Sequence, residues 1–346
     1  MKPHKNIAVL MSGGVDSSAA ALLLRDSGYS LLGITLRLMP PEYESKSSYQ
    51  SNIIDARYVA KKLNIEHIEL DCREHFTRTI IQPFKESYLG GTTPNPCVWC
   101  NPKIKFELVL ELIRDLGIER IATGHYAQVK KDDNDEYGLW RGLDIKKEQS
   151  YFLYRLNKDV LPHVLFPLGK LTKDKTREIA KSMGIEKKSE SQEICFIPGG
   201  DYRTILNDVE VGTYGEIRDA NGNVLGTHKG IHNYTIGQRR GLGLSKGPWY
   251  VKELDILNNV VIVGSAEDIL TNRIKITDIN SLMPFSVGDG VDIQIRYNQK
   301  PVSAVIKKIE SDCIVIETDE PVSAATPGQS GVLYKGERVA AGGIIV

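Results

Sequence analysis

An apolar run over residues 7–11 stops at Ser12-Gly13-Gly14, and an alanine- and leucine-rich stretch follows over 16–27, closed by Gly28. The run has the length of a buried strand, and the stretch has the length and composition of a helix. The alternation continues. Residues 31–36, 67–70 and 120–123 read as strands, and 52–63, 74–88 and 104–116 as helices. Strands alternating with helices predict an α/β fold, a parallel sheet covered on both faces. Right-handed crossovers then collect the strand C-terminal ends, and the ligand crevice, on one edge.

After about Gly200 the texture changes. Turn signals crowd in at Asn221-Gly222, Asn258-Asn259, Gly288-Asp289-Gly290 and Pro327-Gly328. Between them lie short β-branched runs, "VVIVG", "VDIQIRY", "SAVIKKI" and "CIVIET". This spacing predicts hairpins and, from about Ile274, a small β-barrel or sandwich. The expected partition is an N-terminal parallel-sheet domain over 1–200, a small central α+β domain over 201–273 and a C-terminal β-barrel over 274–346. The central domain should open with a helix over 202–208.

Composition narrows the classes. The 346 residues suffice for two or three cores. Lys plus Arg and Asp plus Glu both number 44, so any nucleic-acid surface must be a local patch. No stretch approaches the run of about 20 apolar residues that spans a bilayer, and the apolar run after "MKPHKN" is too short for a signal peptide. Five cysteines, Cys72, Cys97, Cys100, Cys195 and Cys313, are too few and irregular for a secreted disulfide framework. A cytoplasmic monomer without membrane association is expected.

The loop "SGGVDS" would sit between the first strand and the first helix. Gly13 and Gly14 allow a tight turn and bring N–H groups close to a ligand. The helix N-terminus adds unpaired N–H groups and partial positive charge, which suit an anion. Ser12, Ser17 and Ser18 add hydroxyls. Asp16 would repel phosphate unless Mg²⁺ bridged the two; taken alone it also reads as a plain helix cap. No Lys-Ser/Thr follows the glycines, and G-x-G-x-x-G is absent, so neither common nucleotide loop applies. The hexapeptide resembles the pyrophosphate (PP) loop of ATP pyrophosphatases. That resemblance implies an adenine-nucleotide-binding domain with ATP and Mg²⁺ held at Met11, Ser12, Gly13, Gly14, Val15, Asp16, Ser17 and Ser18.

Three further segments bear on the chemistry. In "GGTTPNPCVWCNPKIKFELV", from Gly90, the prolines should keep the chain extended until a helix begins at Ile104. It carries Cys97 and Cys100 as C-x-x-C. "RIATGHYAQV" brings Gly124 and His125 to the ligand edge of the sheet. "SESQEICFIPGGDY" places Cys195 beside an acidic, glycine-rich turn. Cys72 and Cys313, in or beside apolar strands, read as small buried hydrophobes. Cys100 and Cys195 lie in loops without apolar periodicity, and no second C-x-x-C or His pair completes a structural zinc site.

Together with "DARYVAKKLNI", "EQSYFLY", "TIGQRRGLG" and "PGQS", these segments resemble the bacterial tRNA-specific 2-thiouridylases over essentially the whole chain. The resemblance implies adenylation of the C2 oxygen of the wobble uridine, followed by sulfur transfer. Cys195 matches the cysteine that receives sulfur as a persulfide from a sulfur carrier or cysteine desulfurase relay. Cys100 matches the cysteine that attacks the persulfide, leaving a Cys100–Cys195 disulfide. Gly124 and the backbone of Leu36 match ATP contacts. Asn95, Pro96 and Cys97 match the stretch touching the target base, and His125, Lys147, Glu148, Gln149, Arg296, Tyr297 and Gln329 match tRNA contacts. Where the family often carries aspartate this chain has Cys97, so a general-base role does not carry over. Three cysteines, Cys97, Cys100 and Cys195, leave an iron–sulfur cluster open as an alternative way to hold sulfide.

Residues 228–252, "HKGIHNYTIGQRRGLGLSKGPWYVK", hold five Lys/Arg, among them Arg239 and Arg240, and no acid, with Tyr234, Trp249 and Tyr250 interleaved. Cations beside aromatic rings suit phosphates and unpaired bases of an RNA; charge alone would equally describe a solvated hairpin. Two other classes compete. A PP-loop ligase for a small carboxylate would need no paired reactive cysteines, and a non-catalytic tRNA-binding protein would need no intact PP-loop.

Overall fold

The computed structural model describes residues 6–41, 49–185, 195–197, 201–206, 214–245 and 247–346. The chain divides into two compact units. One comprises Met1–Ile81, Pro96–Gly200 and Glu337–Val339; the other comprises Gln82–Asn95, Asp201–Gly336 and Ala340–Val346.

In the first unit, β1 (Asn6–Leu10), β2 (Ser30–Arg37), β3 (Glu66–Asp71) and β4 (Ile121–Ala122) are followed by a hairpin, β5 (Ala127–Lys131) and β6 (Tyr137–Arg141), and by β7 (Val164–Leu165). Five of these form a parallel sheet in the order β3-β2-β1-β4-β7. Ile7, Ala8 and Val9 on the central strand are fully buried, as a parallel strand covered on both faces must be. The first helix, α1 (Val15–Asp26), buries Ala19, Ala20 and Ala21. Ala21, Leu22 and Leu24 join Val59 and Leu63 of α2 (Tyr49–Leu63) in one core, while Ala19 and Ala20 meet Tyr126 and Leu168 in another. The strand order reverses between β1 and β4. Their following loops therefore open into the same crevice, where doubly wound sheets bind ligands.

Between Arg73 and Leu89 the chain is helical, with a wide π-helical segment at Thr77–Ile81 ahead of α3 (Gln82–Leu89). The helix expected to begin at Ile104 begins earlier. Cys97–Cys100 is already α-helical, Asn101–Leu108 is π-helical, and α4 (Val109–Arg114) follows. Pro96 lies just outside the first helical residue, where its missing N–H costs nothing. Pro102 also donates no N–H, and there the helix widens into π geometry instead of breaking. The cysteines thus sit on one helical turn, not in an extended loop. A further helix, α5 (Lys173–Ser182), is capped by Thr172, whose hydroxyl accepts from the Lys175 N–H.

The second unit contains a four-stranded sheet in the order β10-β11-β8-β9, formed by β8 (Gly215–Asp219), β9 (Val224–His228), β10 (Tyr250–Asp255) and β11 (Val260–Gly264). Six further strands follow: β12 (Leu270–Ser281), β13 (Gly290–Gln294), β14 (Val302–Glu310), β15 (Cys313–Ser323), β16 (Ser330–Lys335) and β17 (Arg338–Ile345). They run β12-β15-β14-β13-β16-β17, and pairing of β12 with β17 closes them into a barrel rather than a sandwich. Closure removes the free edges, and alternate residues such as Ile274, Ile276, Ile314, Ile316 and Leu333 fill the inside. The helix expected over 202–208 is described over Arg203–Leu206; residues 207 and 208 lie outside the described residues. Among the described residues no helix is long and apolar enough to cross a membrane.

Candidate active site

Two loops of the first unit meet at the start of α1. Gly13 has φ of +70°, and a Cβ there would stand 2.4 Å from Asp55 Cβ; only glycine turns so tightly against α2. Gly14 precedes α1 with extended backbone and no side-chain cap, so the first-turn N–H groups are not consumed by a capping oxygen. The Ser12 N–H donates to Ser17 Oγ at 3.2 Å, and the Ser17 and Ser18 hydroxyls donate back to Gly14 O at 3.2 and 2.8 Å. Ser18 is fully buried and braces the turn, whereas Ser12 is exposed. From the β4 side, Gly124 approaches so closely that a Cβ would lie 2.8 Å from the Asp16 carbonyl carbon and 2.9 Å from Ser17 N. Met11 is buried beside β2, its N–H donating to Ile34 O at 2.8 Å, and Leu36 is buried further along that strand. Val15 is partly buried at the first position of α1.

Asp16 is not a lone carboxylate. Lys173, nearly buried at the start of α5, donates to both carboxylate oxygens at 2.8 Å, and the Tyr126 hydroxyl donates to Oδ1 at 2.8 Å. Burial, with Asp16 beside it, pushes the Tyr126 hydroxyl far above its ordinary range. Sequence reasoning missed Lys173 and Tyr126. The signal was the Thr172 cap, which opens a helix at a lysine otherwise read as ordinary surface charge. A single carboxylate beside a helix N-terminus fits Mg²⁺, which is held by one or two carboxylates together with substrate phosphates.

The thiols gather in the same unit. Cys97 and Cys100 lie one turn apart, Cys97 partly buried and Cys100 buried. Cys195 is exposed, and its neighbour Phe196 is buried edge-to-face against Phe76 with ring centroids 5.4 Å apart. Burial raises all three thiols, Cys195 to about 11 despite its exposed surface. Its exposed side can be reached by a sulfur donor. Lys105 opposes the rise at Cys97, Cys100 and Cys195 alike, and the other thiols, including Cys72, add to it at Cys100. Cys72, Cys97, Cys195 and Lys105 thus all stand within electrostatic reach of Cys100. Cys72 and Cys313 are buried. All five cysteines are free thiols. Among the described residues no three His, Cys, Asp or Glu side chains converge as metal ligands. This arrangement does not favour the alternative of a cluster on Cys97, Cys100 and Cys195.

His125 Nδ1 shares a 2.7 Å hydrogen bond with Thr123 Oγ1, and its ring forms a triangle with those of Phe106 and Phe166, at 6.3 and 5.8 Å between centroids. Burial, then Lys105, holds its titration well below the ordinary histidine value. Gln149 clasps the same turn: its Oε1 accepts from the Tyr126 N–H at 3.0 Å, and its own N–H donates to Tyr126 O at 2.9 Å. Lys147 is partly buried. Glu148 is buried, accepts from the Ser150 N–H and lies 3.5 Å from Arg141, so its carboxylate is spent inside the protein. Asn101 Nδ2 donates to Phe152 O at 2.8 Å, tying the cysteine helix to this segment.

The remaining candidates belong to the second unit. Arg239 and Arg240 are exposed. Arg296 instead donates to Ala324 O at 3.1 Å and Thr326 Oγ1 at 2.9 Å, and Tyr297 O accepts from Gln294 at 2.9 Å. Gln329 donates to Thr93 O at 2.8 Å, while the Thr93 N–H donates to Pro327 O at 2.9 Å. The barrel thus grips the segment that leads into Asn95, after which the chain enters the first unit at Pro96.

Residues 5–199 match the family described as the tRNA methyl transferase HUP domain, 203–265 its PRC-barrel domain and 271–345 the aminomethyltransferase beta-barrel domain. The tRNA-specific 2-thiouridylase MnmA of Carboxydothermus hydrogenoformans is 44% identical over 99% of this chain and 98% of its own. MnmA 1 of Caldanaerobacter subterraneus subsp. tengcongensis is 44% identical over 100% of this chain and 99% of its own. Among solved structures, the U34-tRNA thiolase NcsA from Methanococcus maripaludis aligns with a TM-score of 0.36 and 18% identity, covering 54% of this chain and 60% of that one. With identity at this level over the whole length, the chain belongs to the family of tRNA-specific 2-thiouridylases.

Proposed function

We propose that the protein replaces the C2 oxygen of the wobble uridine of tRNA by sulfur, at the expense of ATP, in the cytoplasm. What carries the reading is the convergence, within one unit, of a phosphate loop and a set of thiols on either side of the Gly124–Tyr126 turn. Family membership supplies the RNA substrate. The N–H groups at the start of α1, with Ser12 and Lys173, would hold the pyrophosphate of ATP; Asp16 would hold Mg²⁺, which neutralises phosphate charge when bound.

The uridine oxygen is a poor leaving group. Its attack on the α-phosphorus releases pyrophosphate and makes AMP the leaving group at C2. Cys195 would carry sulfur as a persulfide delivered by a sulfur-carrier protein. The Cys100 thiolate would attack the Cys195 sulfur and expel hydrosulfide, which displaces AMP from C2. The products are a Cys100–Cys195 disulfide and thiouridine, so an external dithiol must return two electrons before the next cycle. The exposure of Cys195 suits a residue loaded by a partner, and the burial of Cys100 suits one that acts only inside the site. Asn95, Pro96 and Cys97 would flank the target base, taken out of its stack. Cys97, neutral at physiological pH, lines the pocket without serving as a base. Neutral His125 would donate or accept a hydrogen bond there.

Pyrophosphate release and thiouridine formation are to be measured together, with and without tRNA. Cys100→Ser and Cys195→Ser should keep tRNA-dependent pyrophosphate release while losing thiolation. Release that ignores tRNA would point instead to a small-molecule ligase.

A further inference from the structure

The second unit holds a groove of about 410 Å³ that the reaction above does not use. Its walls include Arg239, Gly241, Gly243, Leu244, Pro248 and Trp249, none of which belongs to the ATP loop or the thiol cluster. Trp249 is fixed before any ligand arrives. Its indole N–H donates to Ser245 O at 3.0 Å, and the ring packs against the small core built on Leu242, Val251 and Val263. Partly exposed, the ring still offers surface to the groove. The groove is also lined by bare backbone at Gly241, Gly243 and Gly247. A Cβ on Gly243 would meet nothing within 4 Å, and one on Gly241 only Gln238 Nε2 at 3.7 Å. Both have positive φ, +66° and +80°, so glycine serves the backbone as well as the opening. Arg239 stands exposed at the mouth, and residues 228–252 contain no acid.

A flat apolar wall, a bare backbone wall and one cation match a nucleobase with its phosphate. They do not match a peptide side chain or a free anion alone. Single-stranded RNA is held this way, bases stacked on fixed aromatic rings and phosphates on arginine. We propose that this groove binds an unpaired base of the tRNA, one that is held and not modified, stacked on Trp249 with Arg239 on the adjoining phosphate. The proposal rests on tRNA being the substrate.

The test uses the full chain and unmodified tRNA transcript. Trp249→Leu keeps apolar packing against the core but removes the stacking face; Trp249→Phe retains a ring. Trp249→Leu should weaken binding about 5- to 100-fold, and Trp249→Phe only slightly. The slope of log K against log salt should stay unchanged in both, because stacking releases no counterions. Single abasic substitutions at each unpaired position of the transcript should reveal one position that reproduces the loss. At that position the loss should not add to Trp249→Leu. Wild-type affinity in a folded Trp249→Leu protein would overturn the proposal, as would losses that add at every abasic position. If Trp249→Leu melts early, quenching of Trp249 fluorescence by tRNA in a Trp99→Phe, Trp140→Phe protein decides, and no quenching overturns it. Thiouridine formed at saturating tRNA by Trp249→Leu keeps the failure of the groove distinct from failure of the thiolation reading.

Discussion

Lys173 and Asp16 make a pair whose partners come from opposite ends of the first unit's sequence, and that distance is why the pair was invisible in the sequence. Asp16 was legible as a functional residue because its hexapeptide is specific. Lys173 was not, because only the folded α5 aims it at the loop. Its side chain is 9% exposed against 36% for Asp16, so removing the lysine leaves a partly solvated carboxylate and removing the carboxylate strands a nearly buried cation. Lys173→Met and Asp16→Asn should each lower ATP-dependent thiolation steeply, to a small measurable residue, while leaving tRNA affinity nearly unchanged. The double variant should be no worse than either single one, the signature of residues acting as a unit. Additive losses in pyrophosphate release would mean separate roles. The thiols give a second expectation at this scale. Cys195 is held up at about 11, chiefly by desolvation and against the pull of Lys105. Thiolate is the reactive form, so alkylation of Cys195 should climb about tenfold per pH unit from pH 7 to 10. Lys105→Gln should slow it at any fixed pH in that range. A plateau below pH 9 would contradict this assignment.

At the scale of elements, the long periodic segments were readable and the short ones were not. The strands at β1, β2 and β3 and helices α1 and α2 announce themselves through apolar runs and glycine stops. Strand β7 is two residues long, and no periodicity exists in two residues. The C-x-x-C helix is hidden in the sequence because its flanking prolines read as helix breakers. Pro96 stands just before the first helical residue, and Pro102 is absorbed by a π-helical segment, which side-chain pattern does not encode. What the elements do to the site is measurable through two glycines. A methyl on Gly13 would meet Asp55 and backbone of α2, and one on Gly124 would meet the backbone at Asp16 and Ser17. Backbone does not yield as a flexible side chain does. Gly124→Ala should therefore cost about 1–3 kcal/mol in denaturant unfolding. It should also raise the KM for ATP, because it displaces the start of α1. Gly13→Ala adds a positive φ to the same overcrowding and should be the worse of the two. Wild-type stability with unchanged ATP kinetics in Gly124→Ala would show that α1 and the β4 loop are not packed as described.

For the whole molecule, net charge excludes simple electrostatic attraction, since 44 cationic and 44 anionic residues cancel. Binding of a polyanion must then depend on where cations stand free. Sequence alone ranks Arg239, Arg240 and Arg296 together; the fold separates them. Arg296 is committed to Ala324 and Thr326 and to Ile236 O at 3.4 Å, so it straps the barrel to the small sheet's turn within the second unit. Arg239 and Arg240 are exposed in a stretch without acids. Exposed cations that meet phosphate release counterions, whereas a guanidinium already holding carbonyls has structural work to lose. Arg239→Ala with Arg240→Ala should lower the slope of log K against log salt by about 0.7–0.9 per lost phosphate contact, with the melting temperature unchanged. Arg296→Ala should do the reverse, lowering the melting temperature by several degrees, since it removes three donated bonds and leaves Ala324 O and Ile236 O to share the single Thr326 hydroxyl proton. Its effect on the salt slope should be small. If Arg296→Ala melts as the wild type does and flattens the salt dependence, the arginine is a phosphate contact and the strap is incidental. If the double variant leaves the slope intact, residues 228–252 are a solvated hairpin, and the phosphates of the RNA must be met elsewhere on the second unit or by the cations of the first.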